Sequence, residues 1–195
     1  MQDRDENLMA KLAMGERQHM ECLVRRHAAP LLAFISRMVG DEHLSHDLFQ
    51  EVFLAVWAKR ALYKFPRPFK PWLYAIAVNK CRTQFRRRAL PMISLQESNP
   101  EHASASSNPS VTDHIEASEL THQVDAIVRC LPEQQRTVLV MRVWGGVTYS
   151  GIAEAVGLRE ATVRSHMHHA LAGVRRAIDS GLMGEHATPS EGGAG

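Results

Sequence analysis

Cysteine is scarce in this sequence of 195 residues, and long apolar runs are missing altogether. The three cysteines, Cys22, Cys81 and Cys130, lie far apart, and an odd, dispersed set fits neither a disulfide framework nor a zinc motif. We therefore expect three small buried side chains. No apolar run is long enough to cross a bilayer, and we expect no secretory leader. These absences predict a cytoplasmic protein without membrane insertion.

Motifs of catalysis are also missing. The sequence has no glycine-rich phosphate loop, no nucleophile elbow and no paired metal ligands in a recognisable frame. His166, His168 and His169 are close in sequence, but three imidazoles on one helix do not make a closed coordination shell. We expect no enzyme activity, no metal or cofactor, and no small-molecule substrate.

Acidic residues are absent from one long stretch, and this is the first positive signal. Residues 59–88 contain ten Lys and Arg and no Asp or Glu, although the whole chain has a net charge of only +2. Such a segment favours a polyanionic partner, either nucleic acid or an anionic membrane surface. The stretch mixes prolines with aromatic residues and does not form one amphipathic helix, so a membrane surface is the weaker alternative.

Strand-like alternation is absent, and apolar residues recur at helical spacing along most of the chain. The sequence predicts an all-α fold with two small helical domains, residues 1–90 and 113–180. A Ser-, Asn- and Pro-bearing segment, residues 91–112, is expected to be a flexible linker, and residues 181–195 a disordered tail. Within the first domain, Pro30 should interrupt or restart a helix. Prolines 66, 68 and 71 should delay the next helix until Trp72.

The C-terminal half contains two short helical patterns joined at Gly157. Ile152 and Val156 mark the inward face of the first, and Val163 and Leu171 lie on the predicted inward face of the second. This arrangement matches a helix-turn-helix, whose second helix enters the DNA major groove. A plain helical hairpin with a solvated polar face remains the alternative. The polar positions of the second helix and its entry are Arg159, Glu160, Thr162, Arg164, Ser165, His168 and His169.

Several motifs resemble the sigma-70 family of RNA polymerase subunits. Residues 47–57 (DLFQEVFLAVW) resemble its polymerase-binding helix, and residues 72–79 (WLYAIAVN) resemble its promoter-melting helix. Residues 131–136 and 148–154 are similar to the start of region 4, and residues 162–166 to its recognition helix. The motifs occur in family order without a large insert, as in the minimal extracytoplasmic-function (ECF) group. A stand-alone helix-turn-helix regulator is the other hypothesis, but it gives residues 1–88 no role.

The resemblance implies three sets of binding residues. The set facing the coiled coil of the polymerase clamp is Asp47, Gln50, Glu51, Leu54 and Trp57, although by spacing alone it would be a solvated acidic face. The set facing the downstream promoter element is Lys64, Phe65, Arg67, Phe69, Asn79, Lys80, Arg82, Arg86 and Arg87. The upstream element would meet the polar positions of the helix-turn-helix given above.

Three further points depend on the resemblance. Phe65 and Phe69 are expected either to stack on an extruded base or to belong to the core, and both interpretations stay open. His166 and His169 stand where the family usually has a basic residue. The implied partners are core RNA polymerase, promoter DNA and an anti-sigma protein.

Overall fold

The computed structural model describes residues 3–89, 121 and 123–184, with the side chains of Ala89 and of residues 181–184 excluded. The predicted linker, residues 91–112, and most of the predicted tail lie outside these residues. Within the described ranges every regular element is helical and no strand occurs, which confirms the predicted all-α fold. No helix in these ranges combines the length and apolarity needed to cross a membrane.

The N-terminal half contains four α-helices. These are α1 (Asp5–Ala13), α2 (His19–Val39), α3 (Glu42–Ala58) and α4 (Phe69–Ala89), with a 3₁₀ turn (Arg60–Leu62) after α3. The join between α2 and α3 is sharp: Gly40 has the left-handed φ of 72° that ends α2, and the Asp41 carboxylate then accepts the Leu44 N–H at 2.9 Å. The helices enclose an apolar core that includes Leu31, Phe34, Leu48, Val52, Leu73 and Tyr74.

Two predictions about proline are wrong. Pro30 lies inside an unbroken α2, because buried residues on both sides of it, Leu23 and Leu31 among them, hold the helix against the core. Helix α4 begins at Phe69, before Trp72, with Pro71 in its first turn. Proline is tolerated there because the first N–H groups of a helix have no partner within the helix.

The C-terminal half forms the predicted helix-turn-helix. A helical segment, α5 (residues 123–130), is followed by α6 (Glu133–Val143), α7 (Tyr149–Val156) and α8 (Glu160–Gly184). Thr148 caps α7 by accepting the Gly151 N–H, and Gly157 turns the chain with a φ of 71°. Two expectations fail: Leu171 is 52% exposed instead of inward, and α8 continues through Gly184, beyond the predicted tail boundary at 181.

The cysteines also differ from expectation. Cys81 is buried in α4, but Cys22 and Cys130 are exposed. Each exposed cysteine comes directly before a buried leucine, Leu23 or Leu131, but itself lies outside the buried face.

The two halves are packed against each other, which the sequence did not predict. Helix α4 packs on α7 and α2 packs on α6, and one apolar cluster includes residues of both halves. The approach is close enough to require small residues. A Cβ atom at Gly151 would lie 2.8 Å from Cγ of Pro71, and one at Gly145 would lie 2.8 Å from Cε1 of Tyr74.

Candidate polymerase and nucleic-acid interface

The outer face of α3 carries the residues predicted to meet polymerase. Asp47, Gln50 and Glu51 are exposed, and Leu54 beside them is 67% exposed. Spacings of three and four place these side chains on one helix face. An exposed leucine among acidic and amide groups matches the chemistry of a docking surface, in which an apolar contact is surrounded by polar ones.

Two contacts on this face were not foreseen. The Glu51 carboxylate forms an ion pair with Lys80 at 2.7 Å, so it is not free and it holds a lysine predicted to contact DNA. The Trp57 ring is half-buried, with the Arg60 guanidinium 4.0 Å from its centroid and Arg17 at 5.5 Å. Trp57 therefore presents only part of its ring at the edge of the face.

The loop between the 3₁₀ turn and α4 separates the two candidate stacking residues. Phe65 is 57% exposed, whereas Phe69 is fully buried. The Phe69 ring packs edge-on against His27, with centroids 5.3 Å apart, and also contacts Tyr63 and Trp72. Phe69 belongs to the core and is not positioned to stack on a base, so its predicted place among the downstream contacts is wrong and the core alternative holds for this residue.

The outward side of α4 holds the other predicted downstream contacts. Asn79, Arg86 and Arg87 are exposed, and Arg82 is partly exposed. An open groove of about 680 Å³ runs along this side. It is lined from the N-terminal half by Asn79, Arg82, Thr83, Phe85 and Arg86, and from the C-terminal half by Glu133, Gln134 and Val156. Three of the predicted downstream contacts, Asn79, Arg82 and Arg86, thus line one groove, and that groove is shared with the other half.

Helix α1 supports this loop, a role that sequence reasoning missed. The Glu6 carboxylate accepts the Phe69 N–H at 3.2 Å and so satisfies one unpaired donor at the start of α4. Asp5 lies 2.7 Å from Arg26 and 2.7 Å from Nε2 of the buried His27. Burial alone would raise the pKa of the Asp5 carboxyl, but its hydrogen bonds with Arg26 and His27 outweigh that effect and lower it.

The same region buries a phenol. The Tyr63 hydroxyl donates to the Arg67 carbonyl and closes the loop on itself. Burial, followed by the nearby negative charge of Glu6, raises the pKa of Tyr63 to about 12. The phenol therefore remains a protonated donor over the whole physiological pH range.

Helix α8 displays most of the predicted upstream contacts. Arg159, Thr162, Ser165, His168 and His169 are exposed, and the rings of His168 and His169 lie 5.8 Å apart. Arg164 is different, because it pairs with Glu160 at 2.6 Å and lies 4.5 Å over the Tyr149 ring. The recognition helix is thus open to solvent, with one of its cations partly neutralised.

Comparison with known protein families identifies the family to which this chain belongs. The family model for sigma-70 region 2 matches residues 23–90, and the model for sigma-70 region 4 matches residues 121–172. Together the two matches cover more than half of the chain. The chain belongs to the sigma-70 family. We therefore refer to residues 3–89 as region 2 and to residues 123–184 as region 4 of a sigma factor.

Its curated relatives are also sigma factors. The RNA polymerase sigma-H factor of Pseudomonas aeruginosa is 27% identical over 187 residues, which cover 93% of this chain and 95% of the relative. CarQ of Myxococcus xanthus is 28% identical over 87% of this chain and 95% of its own length. The ECF sigma factor SigE of Mycolicibacterium smegmatis is 31% identical over 75% of this chain and 56% of its own length. The protein is a sigma factor of the ECF group, whose function is transcription initiation.

Two solved structures share the fold. CnrH, solved with the cytosolic domain of CnrY, superposes with a TM-score of 0.69 at 24% identity, over 91% of this chain and 99% of that one. RpoE of Bartonella quintana, solved with the anti-sigma factor NepR, gives a TM-score of 0.63 at 18% identity, over 82% of this chain and 96% of that one.

Proposed function

We propose that the exposed face of α3 binds core RNA polymerase, that α4 and the loop before it read the downstream promoter element, and that α8 reads the upstream element. The main support for this proposal is the α3 face itself, where Leu54 is 67% exposed among exposed acidic and amide side chains. When a partner covers a large apolar side chain that is exposed next to charged groups, the free energy of the complex falls. A stand-alone regulator would have no use for this face.

The polymerase assignment is tested by Glu51→Lys combined with Gln50→Ala. Both side chains are exposed, and the Glu51–Lys80 pair is a surface ion pair, so stability should change little. Binding to core polymerase and run-off transcription should be lost. The matched control is Glu21→Lys with Gln18→Ala, which makes the same changes at exposed positions outside α3. Wild-type transcription by the first variant would refute the assignment.

The DNA assignment separates base reading from phosphate binding. Asn79 offers a donor and an acceptor on the exposed side of α4, and Phe65 offers an exposed ring. Asn79→Ala should change the preference at one promoter base, whereas Arg87→Ala should weaken all promoters alike, since a phosphate contact carries no sequence information. A promoter library scored by transcript yield distinguishes the two effects. An unchanged base profile for Asn79→Ala would exclude it as a reader.

Partner and location follow from the same proposal. CnrH and RpoE were solved with CnrY and with the anti-sigma factor NepR, and we propose that an anti-sigma protein also binds this chain. We place it in the cytoplasm, where core polymerase is found, and expect it to act by binding and not by catalysis. Co-purification with core polymerase from the cytosolic fraction tests the location and the binding to polymerase.

A further inference from the structure

We propose that Glu6 on α1 is a positioning residue for promoter reading, because it caps the start of α4 and thereby fixes where the loop of residues 63–68 presents Phe65 to DNA. The inference depends on the proposed role of this loop in reading the downstream element. Its basis is the hydrogen bond in which the Phe69 N–H donates to the Glu6 carboxylate at 3.2 Å, across 63 positions of the chain. A residue remote in sequence therefore sets the geometry at one end of the loop.

The start of α4 has no cap in its own segment. Residues 64–68 are Lys, Phe, Pro, Arg and Pro, and none of these side chains can accept a hydrogen bond from the first N–H groups of the helix. Glu6 supplies the missing acceptor from another helix. Its carboxylate also lies at the helix end where the backbone dipole favours negative charge.

Two contacts close the loop on itself at its other end. The Arg67 N–H donates to the Lys64 carbonyl at 2.9 Å, and the Tyr63 hydroxyl donates to the Arg67 carbonyl. The hydroxyl remains a donor because burial and the charge of Glu6 raise the pKa of Tyr63 to about 12. Phe65, which is 57% exposed, lies in the chain between Tyr63 and the capped start of α4. Its position therefore depends on both attachments.

Helix α1 is held firmly enough to support the loop. Its apolar face is buried, and the Glu6 side chain is only 20% exposed, so water competes poorly for the hydrogen bond. Asp5, the neighbour of Glu6, lies 2.7 Å from Nε2 of His27, and the His27 ring packs against the Phe69 ring with centroids 5.3 Å apart. Two adjacent carboxylates thus hold Phe69, one through its N–H and the other through the ring of His27.

Loss of the cap has two consequences that can be separated. A general loss of stability reduces the amount of active protein and lowers transcription from all promoters alike. A displaced loop moves Phe65 and changes the preference at the promoter base that this ring meets. Residues that support a binding group from behind act in the second way, since recognition depends on how accurately that group is held.

The test uses the full chain with core polymerase and a promoter library randomised in both elements, scored by transcript yield. Glu6→Ala removes the acceptor and should change the preference at one downstream position several-fold, at the same position as Phe65→Ala. The upstream preference should stay as in wild type. Glu6→Gln keeps an acceptor oxygen for the Phe69 N–H and should keep the wild-type base profile.

Two controls separate positioning from other effects. Glu16→Ala makes the same change at an exposed position between α1 and α2. Ile35→Val removes a methylene from a buried side chain of α2 and should lower the melting temperature. Both controls should leave the base profile as in wild type.

A double variant tests whether Glu6 acts through Phe65. If it does, Glu6→Ala combined with Phe65→Ala should have the base profile of Phe65→Ala alone, because the ring that Glu6 positions is already missing. If Glu6→Ala does not fold by circular dichroism, Tyr63→Phe replaces it. This change removes the hydroxyl that closes the loop but keeps the buried ring, and the same downstream position should change.

The possible outcomes separate this inference from the proposed function. A changed profile for Phe65→Ala with a wild-type profile for Glu6→Ala, or for Tyr63→Phe in its place, would refute the positioning and leave the reading role of the loop intact. Wild-type profiles for all of these variants would refute the reading role itself. An equal change in Ile35→Val, or a further change in the double variant, would show that Glu6 does not act through the placement of Phe65.

Discussion

At the scale of single residues, the loop before α4 places two chemically identical side chains in different surroundings, one buried and one exposed. Phe65 and Phe69 both lie in the proline-rich segment, and composition gives them the same role. The structure places Phe69 in the core against His27 and Tyr63, and leaves Phe65 57% exposed. A buried ring supports the fold, while an exposed one is free to meet a base.

The two phenylalanines should therefore fail in opposite ways. Phe69→Ala removes a fully buried ring and should cost roughly 3 kcal/mol or more of unfolding free energy. Phe65→Ala should change stability by no more than about 0.5 kcal/mol but alter promoter preference. Urea unfolding and a promoter library measure the two effects. A stable Phe69→Ala protein, or a strongly destabilised Phe65→Ala protein, would contradict this division.

At the scale of helices, periodicity and capping made most elements predictable. Asp41 and Ser45 both have side chains suited to an N-cap. Asp41 caps α3, and Ser45 lies buried one turn later with its hydroxyl donating to the Asp41 carbonyl. Local rules allowed either residue, and the left-handed turn at Gly40 decided between them. The position of Pro30 could not be predicted because tertiary burial, which local sequence does not express, outweighs the local penalty. Pro71 is different, because it lies in the first turn of α4, where proline carries little penalty.

Helix α1 is the element whose role depends most on tertiary contacts. Its apolar residues Leu8, Met9 and Leu12 are buried, and its acidic residues reach α2 and α4. Nothing in residues 3–13 alone indicates that Asp5 meets His27, since the two are 22 positions apart. The acidic first turn favours a helix N-terminus in any setting, so sequence analysis could place the helix but not its partners.

This attachment should give the protein an acid-sensitive component of stability. The pKa of Asp5 in the folded chain is below its usual 3.8, so folding favours the carboxylate. Its contribution is fully present above pH 3.8 and is lost as pH falls through the lower, folded-state value. Asp5→Asn should therefore lower the melting temperature at neutral pH, and the gap to wild type should shrink in acid. Thermal unfolding from pH 7 down to about pH 3 checks this.

The control for this experiment is Asp47→Asn, a change of an exposed acid on α3. It should leave the melting temperature nearly unchanged at neutral pH. A gap between wild type and Asp5→Asn that stays constant as pH falls would show that the loss comes from packing and not from the carboxylate.

At the scale of the whole molecule, the connection between α6 and α7 forms part of the junction between the regions. Within residues 143–147, Trp144 covers Arg37 and Gly145 lies against Tyr74. The sequence reveals each region through its own periodicity. It does not reveal their contact, because the residues that meet across it come from two separate patterns and no single helix face shows both.

The Arg37–Asp125 pair gives the sharpest test of that contact. The two side chains are 13% and 24% exposed, and Nε lies 3.0 Å from Oδ1, but the N–H and the oxygen are not aligned as a hydrogen bond. The attraction is therefore chiefly ionic, in surroundings that exclude much of the water. Removing either partner leaves the other charge partly buried and unpaired, which costs more than losing a surface contact.

A double-mutant cycle of Arg37→Ala and Asp125→Ala, measured by urea unfolding of the full chain, should give a coupling energy of roughly 1 kcal/mol or more. The control cycle is Arg25→Ala with Glu21→Ala, a pair within α2 whose side chains are 77% and 74% exposed. Its coupling should be only about 0.3–0.5 kcal/mol, as for other exposed pairs one helical turn apart. Because Arg37 belongs to region 2 and Asp125 to region 4, their coupling exists only while the regions are in contact. A value no larger than that of the α2 pair would mean that the two regions are apart in solution.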